Sequence, residues 1–293
     1  MSDARGSNRD VLSSGGSSTA EQAPAGQPPM ERVPLLSAAG ISKQFDGIRA
    51  LDEVPLTVHN SECVGLIGPN GAGKTTLFDC LTGRVTPDAG EVSFRGRRLD
   101  RLSGVARARL GLARTFQRIE LFGGMSVADH LQVAIQGRTR RAHLWHDIVD
   151  RRRMSRASVR ERHERGHVRH AEAILDMLGL SDDADRPIEA LTLGKARLVE
   201  LGRALACDPV LLFLDEPSSG LDRTEADALG SVLEQVRQDF GVAILLVEHN
   251  VPLVRRLATR LYVLDAGRLI AEGPTPQVLG DPKVRTAYLG AEA

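Results

Sequence analysis

Hydrophobic positions along the chain fall into short blocks of changing period. Val54, Leu56 and Val58 alternate with polar neighbours, which predicts a half-buried strand, and Glu91 to Arg95, with Val92 and Phe94 on one face, predicts a second strand of the same small sheet. Between them the unbroken apolar run Cys63 to Ile67 feeds a glycine loop and then a helix from about Gly73 to Leu81. Val210 to Leu214 and Val242 to Val247 read as two more buried strands, separated by an amphipathic helix over Thr224 to Asp239 that Gly241 ends. Buried strands alternating with helices predict an α/β fold whose parallel sheet is covered on both faces.

Two segments break this rhythm. Ile119 to Leu191 has helical spacing and no strong strand signal, and it lies between the glycine loop and the later strands, so a helical subdomain inserted into the α/β core is expected. Residues 1–33 are rich in Ser, Gly, Ala, Pro and Gln and poor in large apolar side chains. Such a composition buries too little surface to offset the entropy of ordering, so a disordered tail is expected, with the folded domain spanning 34–293.

Composition narrows the function classes. The 293 residues are 42% apolar, enough for one sizeable core, and 38 basic residues balance 38 acidic ones, which removes any global electrostatic case for nucleic acid. The longest apolar runs fall far short of the roughly 20 residues that cross a bilayer, and no hydrophobic secretion signal is visible, so a cytoplasmic protein is expected. Cys63, Cys80 and Cys207 lie in or beside apolar segments without metal-ligand spacing and read as buried thiols.

Only Lys43, Lys74, Lys195 and Lys283 are lysines, so the one inside the glycine loop stands out. Gly68, Pro69, Asn70, Gly71, Ala72, Gly73, Lys74 and Thr75 satisfy the phosphate-loop pattern G-x-x-x-x-G-K-[ST], placed after a strand and at the opening of a helix. Glycines let backbone N–H groups close around phosphate oxygens, and the helix start adds its partial positive charge. Lys74 is expected to reach the β- and γ-phosphates of ATP, Thr75 to ligate Mg²⁺ and Thr76 to add a phosphate contact. The strand Val210 to Leu214 ends in Asp215, Glu216 and Pro217, two carboxylates at the strand edge where ligands collect in open α/β sheets. Asp215 suits a Mg²⁺ partner and Glu216 a group that polarises the attacking water.

With these motifs the chain resembles the ABC-type ATPases. Leu191, Thr192, Leu193, Gly194, Lys195, Ala196 and Arg197 stand where the family has its LSGGQ signature, and only Leu191 and Gly194 match literally. A hydroxyl and a glycine at a helix start survive, suited to a phosphate. In the family the signature contacts ATP held by the other subunit, so the resemblance implies that Thr192 and Gly194 serve a second ATPase subunit's nucleotide. Gln117 resembles the glutamine that senses Mg²⁺ and water, His249 the switch histidine at the γ-phosphate, and Ser219 to Asp222 the loop that crosses to the partner. Phe45 occupies the place of the aromatic that stacks on adenine.

Finer stretches point to one branch. Gly111 to Gln117 followed by Leu121 and Phe122, the long helical insertion, and the ending Asp281 to Val284 with Ala287 to Gly290 resemble the ATP-binding subunits of branched-chain (hydrophobic) amino acid importers. That resemblance implies two transmembrane permease subunits contacted near Ile119 to Met125, a second ATPase subunit, an extracytoplasmic substrate-binding protein, and a place on the cytoplasmic face of the membrane. A lipid or lipopolysaccharide exporter ATPase, or a non-transport ABC ATPase acting on nucleic acid, is the rival. Arg138 to His170 holds eleven Arg against four acids, but with Trp145 as its one aromatic suited to base stacking it reads as a solvated helical face, and no nucleic acid partner is expected. His163, His167 and His170 share a helical face at metal-ligand spacing, yet Arg162, Arg165 and Arg169 beside them would repel a cation.

Overall fold

The computed structural model describes residues 33–115, 120–137 and 156–289. The expected tail therefore lies outside the described residues, apart from Val33, as do Gln117 and most of the Arg-rich stretch. In chain order the elements are β1 (Leu36–Phe45), β2 (Ile48–Val58), β3 (Cys63–Ile67), α1 (Lys74–Thr82), β4 (Ala89–Phe94), β5 (Arg97–Arg98), α2 (Gly104–Ala108) and β6 (Leu112–Arg114). A helix over 127–137, labelled α3, is followed by α4 (Arg156–Met177), α5 (Leu193–Leu205), β7 (Leu211–Asp215), α6 (Arg223–Phe240), β8 (Ala243–Val247) and α7 (Val251–Leu257). The chain then forms β9 (Arg260–Asp265), β10 (Arg268–Pro274), α8 (Thr275–Gly280) and α9 (Pro282–Val284).

The strands make two sheets. An antiparallel one runs β2-β1-β4-β5, and a six-stranded one runs β10-β9-β3-β8-β7-β6, parallel throughout except for the edge strand β10. β3, β7 and β8 are buried at every position, as expected of parallel strands covered on both faces. Side-chain alternation in β7 sends Leu212 and Leu214 into one core and Leu211 and Phe213 into the other. In the second core Phe78 of α1 meets Phe213 edge-on, ring centroids 5.5 Å apart, which fixes α1 against the sheet.

The alternation at Val54, Leu56 and Val58 is real: all three are buried in β2. The long helix α6 starts at a capping box in which Asp222 accepts from the N–H of Glu225 and Glu225 accepts from the N–H of Asp222. Pattern alone did not anticipate β1, β5, β6, β9 or β10. β6 is three residues long, β9 is a four-residue apolar run between Arg260 and Asp265 that periodicity cannot tell from a helix segment, and β10 is a half-exposed edge.

Register decides what the sheet can present. Leu66 of β3 pairs with Val247 of β8, and Val247 pairs with Asp215 of β7, so three neighbouring strands end level with one another. The segments that follow them, which start at Gly68, Glu216 and Glu248, therefore leave the sheet at one edge, where the strand order also reverses direction. Behind that edge the turn between β9 and β10 holds on to its neighbours. Gly267 donates its N–H to the carbonyl of Ala72 (3.0 Å) and accepts from the N–H of Asp52 in β2 (2.9 Å).

Candidate functional site

The loop from Gly68 to Gly73 is shaped by close backbone approach. Gly68 has φ +148°, and a Cβ there would lie 2.1 Å from the carbonyl oxygen of Leu264. Gly73 has φ +98°, and its Cβ would lie 2.5 Å from the carbonyl oxygen of Ala50. Neither position accepts a side chain, so the loop is pressed between β9 and β2 with its outer residues Asn70 and Gly71 exposed. Pro69 and Thr76 are half-buried, Ala72 is buried and Thr75 is exposed at the first turn of α1. The first N–H groups of that helix have no carbonyl within it to donate to, which leaves them for an anion.

Lys74 is buried and folds back over the loop, its Nζ donating to the carbonyls of Gly68 (2.7 Å) and Pro69 (2.9 Å). Burial pulls its ammonium down from the ordinary lysine range, and the nearby carboxylates of Glu216 and Asp215 push it back up. Asp215, buried at the end of β7, has its carboxyl raised, first by burial and then by the Glu216 charge, while Arg114 pulls the other way. Two adjacent carboxylates, one of them poorly hydrated, supply hard oxygen donors of the kind a divalent cation takes.

Glu216 adopts φ +47°, a left-handed conformation unusual for a residue with a side chain. Its N–H donates to the carbonyl of Val247 (2.8 Å), and its Oε1 lies 2.7 Å from Nε2 of His249. The structure thus brings together Lys74, Asp215, Glu216 and His249 at the edge where β3, β7 and β8 end. Phe45 sits at the tip of the β1–β2 hairpin, 45% exposed, with the Lys43 ammonium 5.3 Å from its ring; it is an exposed aromatic and not a core residue.

Thr192 and Gly194 stand on a different element. Thr192 caps α5, its Oγ1 accepting from the N–H of Lys195 (3.3 Å), and the N–H of Gly194 donates to Oε1 of Glu225 (3.3 Å) in the first turn of α6. Lys195, at a position where the family signature has Gln, pairs with the buried Asp183 (2.6 Å), which also holds Arg186 (2.7 Å).

Three participants escaped the sequence reading. Arg114 donates to Asp79 and to the hydroxyl of Thr82, both at 3.0 Å, and lies over the Phe78 ring, so it ties the back of α1 to the strand leading toward Gln117. Glu225 bridges α5 and α6, as above. Glu248, 2% exposed, sits between Val247 and His249. Glu225 belongs to the capping box at Asp222 and Arg114 to the Gly111–Gln117 stretch, but neither pattern signals these contacts, and adjacency to His249 is the one clue the chain offers for Glu248.

A glycine loop between a buried parallel strand and a helix, an acidic strand end and a histidine beside it, and a capped helix start upstream of that strand together define an ABC-type ATPase. Residues 51–219, more than half of the chain, match the family described as ABC transporter, and the chain belongs to that family. Residues 268–293 match a second description, branched-chain amino acid ATP-binding cassette transporter.

The high-affinity branched-chain amino acid transport ATP-binding protein LivG of Escherichia coli is 37% identical over 257 residues, 88% of this chain and 98% of LivG. The lipopolysaccharide export system ATP-binding protein LptB of the same organism is 35% identical over the same shares of the two chains. Among solved structures, the ADP conformation of MJ1267, an ATP-binding cassette of an ABC transporter, superposes with a TM-score of 0.73 at 30% identity, covering 88% of this chain and 99% of MJ1267. The chain is therefore an ATP-binding ATPase subunit of the ABC transporter class. Among the described residues no helix is long and apolar enough to cross a membrane.

Proposed function

We propose that this chain drives import of branched-chain or other hydrophobic amino acids, as one ATPase subunit of a pair bound at the cytoplasmic face of the membrane to two permease subunits that receive solute from an extracytoplasmic binding protein. In this reading residues 34–293 form the cassette and 119–191 its inserted helical subdomain. The solute class rests on the match at residues 268–293, which favours the amino acid branch over the lipopolysaccharide exporter named by LptB.

The catalytic part of the proposal rests on the contact of Glu216 with His249. ATP is the substrate. Backbone N–H groups from Gly68 to Thr75 and the Lys74 ammonium cradle its phosphates, Thr76 adds a hydroxyl, and Phe45 offers a stacking face for adenine. Mg²⁺, held by Thr75, Asp215 and Gln117, neutralises phosphate charge when bound. Glu216 accepts a hydrogen bond from the attacking water and aligns it for in-line displacement at the γ-phosphorus, and His249 holds the Glu216 carboxylate and the γ-phosphate region in register. Thr192 and Gly194 present a helix start to the nucleotide of the second ATPase subunit.

Glu216→Gln is expected to keep ATP affinity while turnover falls by about 10²–10⁴-fold, the usual worth of a positioned acid or base. Steady-state hydrolysis and nucleotide binding by the full-length chain check this, and a variant with near-normal turnover removes Glu216 from the role. For the solute, ATP-dependent uptake of radiolabelled leucine into vesicles carrying the assembled system is expected. Extraction of lipopolysaccharide in place of leucine uptake would overturn the assignment.

A further inference from the structure

Glu248 is the first residue past β8, and the interior around it leaves its carboxylate 2% exposed. A buried carboxylate is stable only where donors converge on it. Here Oε1 accepts from the N–H of Ser218 (2.8 Å), and Oε2 accepts from the N–H groups of His249 (2.9 Å) and Asn250 (3.0 Å). Ser218 lies 30 residues earlier, in the turn that follows β7. One side chain therefore fastens the turn carrying Glu216 to the turn carrying His249.

That fastening matters because Glu216 sits at φ +47°, a conformation that persists where the surroundings over-determine it. Its own N–H is held by Val247, the Ser219 N–H donates to its carbonyl (3.0 Å), and the Ser218 N–H is held by Glu248. Asn250 then caps α7, its side chain accepting from the Leu253 N–H at 3.1 Å, so the second turn is anchored to a helix. The 2.7 Å contact between Glu216 and His249 closes a ring of bonds of which Glu248 is the opposite side. Donors facing both oxygens explain the residue type: a carboxylate accepts at each oxygen, whereas a carboxamide turns N–H groups toward at least one of these amides.

We infer that Glu248 is a positioning residue for ATP hydrolysis, acting through His249 and the strained turn at Glu216 without touching the nucleotide. This rests on the roles given to Glu216 and His249 above. Glu248→Gln in the full-length chain is expected to lower kcat by about 10–100-fold, as misplacing a reacting group by about 1 Å does, with KM for ATP changed less than about twofold. In a His249→Ala background the same change is expected to cost less than it does in the wild-type chain, because one of the two groups it positions is gone and only its hold on the Glu216 turn remains.

Unchanged kcat in Glu248→Gln overturns the inference, as do reductions that simply multiply in the double variant, which would mean that the two residues act independently. Should Glu248→Gln not fold, Glu248→Asp, which keeps both oxygens on a shorter arm, is read by the same two criteria. Normal turnover in Glu216→Gln or His249→Ala, measured alongside, would instead remove the underlying site assignment, so the two failures are told apart.

Discussion

Where β3, β7 and β8 end, groups are set by the backbone. Gly68 and Gly73 press the loop against neighbouring carbonyls, strand register levels Asp215 with the loop, and a left-handed residue aims Glu216 at His249. At the start of α5 the arrangement is held by side chains that reach across the fold: Asp183 to Lys195, Glu225 to Gly194, Thr192 to its own helix. In the first region Gly68 and Gly73 leave no room for a side chain, whereas at the second the groups in contact are the ends of side chains. This chain keeps the full phosphate-loop pattern in the first region and departs from the family signature in the second, at Thr192, Leu193 and Lys195.

The largest effect expected from probing this contrast comes from Lys74. Lys74→Ala removes a cation from the phosphate cradle and two bonds that shape the loop, and charge-assisted bonds are worth about 1.5–3 kcal/mol, so ATP affinity should fall about 10–100-fold. Titration with a fluorescent nucleotide measures this, and unchanged affinity would contradict the phosphate-loop assignment.

A matched pair of glycine substitutions comes next. In Gly73→Ala the new methyl meets a backbone carbonyl at 2.5 Å in a positive-φ conformation, and a cost of about 1–3 kcal/mol should appear as a lowered thermal midpoint. In Gly194→Ala the methyl meets the Glu225 carboxylate at 2.6 Å, the movable end of a side chain, and stability should change by less than about 1 kcal/mol in either direction, read as a correspondingly smaller shift of the midpoint. Equal losses in the two variants would erase the contrast between a backbone-built and a side-chain-built region.

A pH-dependent effect concerns the anchor of α5. The Lys195 hydrogen bond holds the Asp183 carboxyl below the ordinary range; burial opposes this and Arg186 reinforces it. A lowered acid pKa stabilises the fold fully above the ordinary carboxylate value of about 3.9 and loses that contribution as pH falls through the lowered one. Asp183→Asn should therefore cost about 1 kcal/mol near neutral pH, with the gap to wild type closing toward acid, in thermal melts across that range. A gap that widens as pH falls would reverse the sign assigned here.

How much could be read from the chain follows the same division. The phosphate loop, the acidic strand end and the covered parallel sheet were legible because each is a local pattern: glycines at fixed offsets, an unbroken apolar run, carboxylates at its end. Glu248 and Asp183 were not, since their meaning depends on Ser218, 30 residues away, and on Lys195, 12 residues away. Arg114 was seen only as part of a stretch resembling the family, and its tie to Asp79 crosses 35 residues. The strands β9 and β10 escaped for another reason, being a short run and a half-exposed edge whose partner strand supplies the order they lack on their own.

The peptide at Gly267 gives the C-terminal end of the chain an unexpected neighbour. Its amide engages the glycine loop at Ala72 and its carbonyl engages β2 at Asp52, immediately before the matched segment at 268–293. Exchange of C-terminal segments between relatives therefore cannot treat that segment as a detachable module: the graft junction falls one hydrogen bond from the glycine loop.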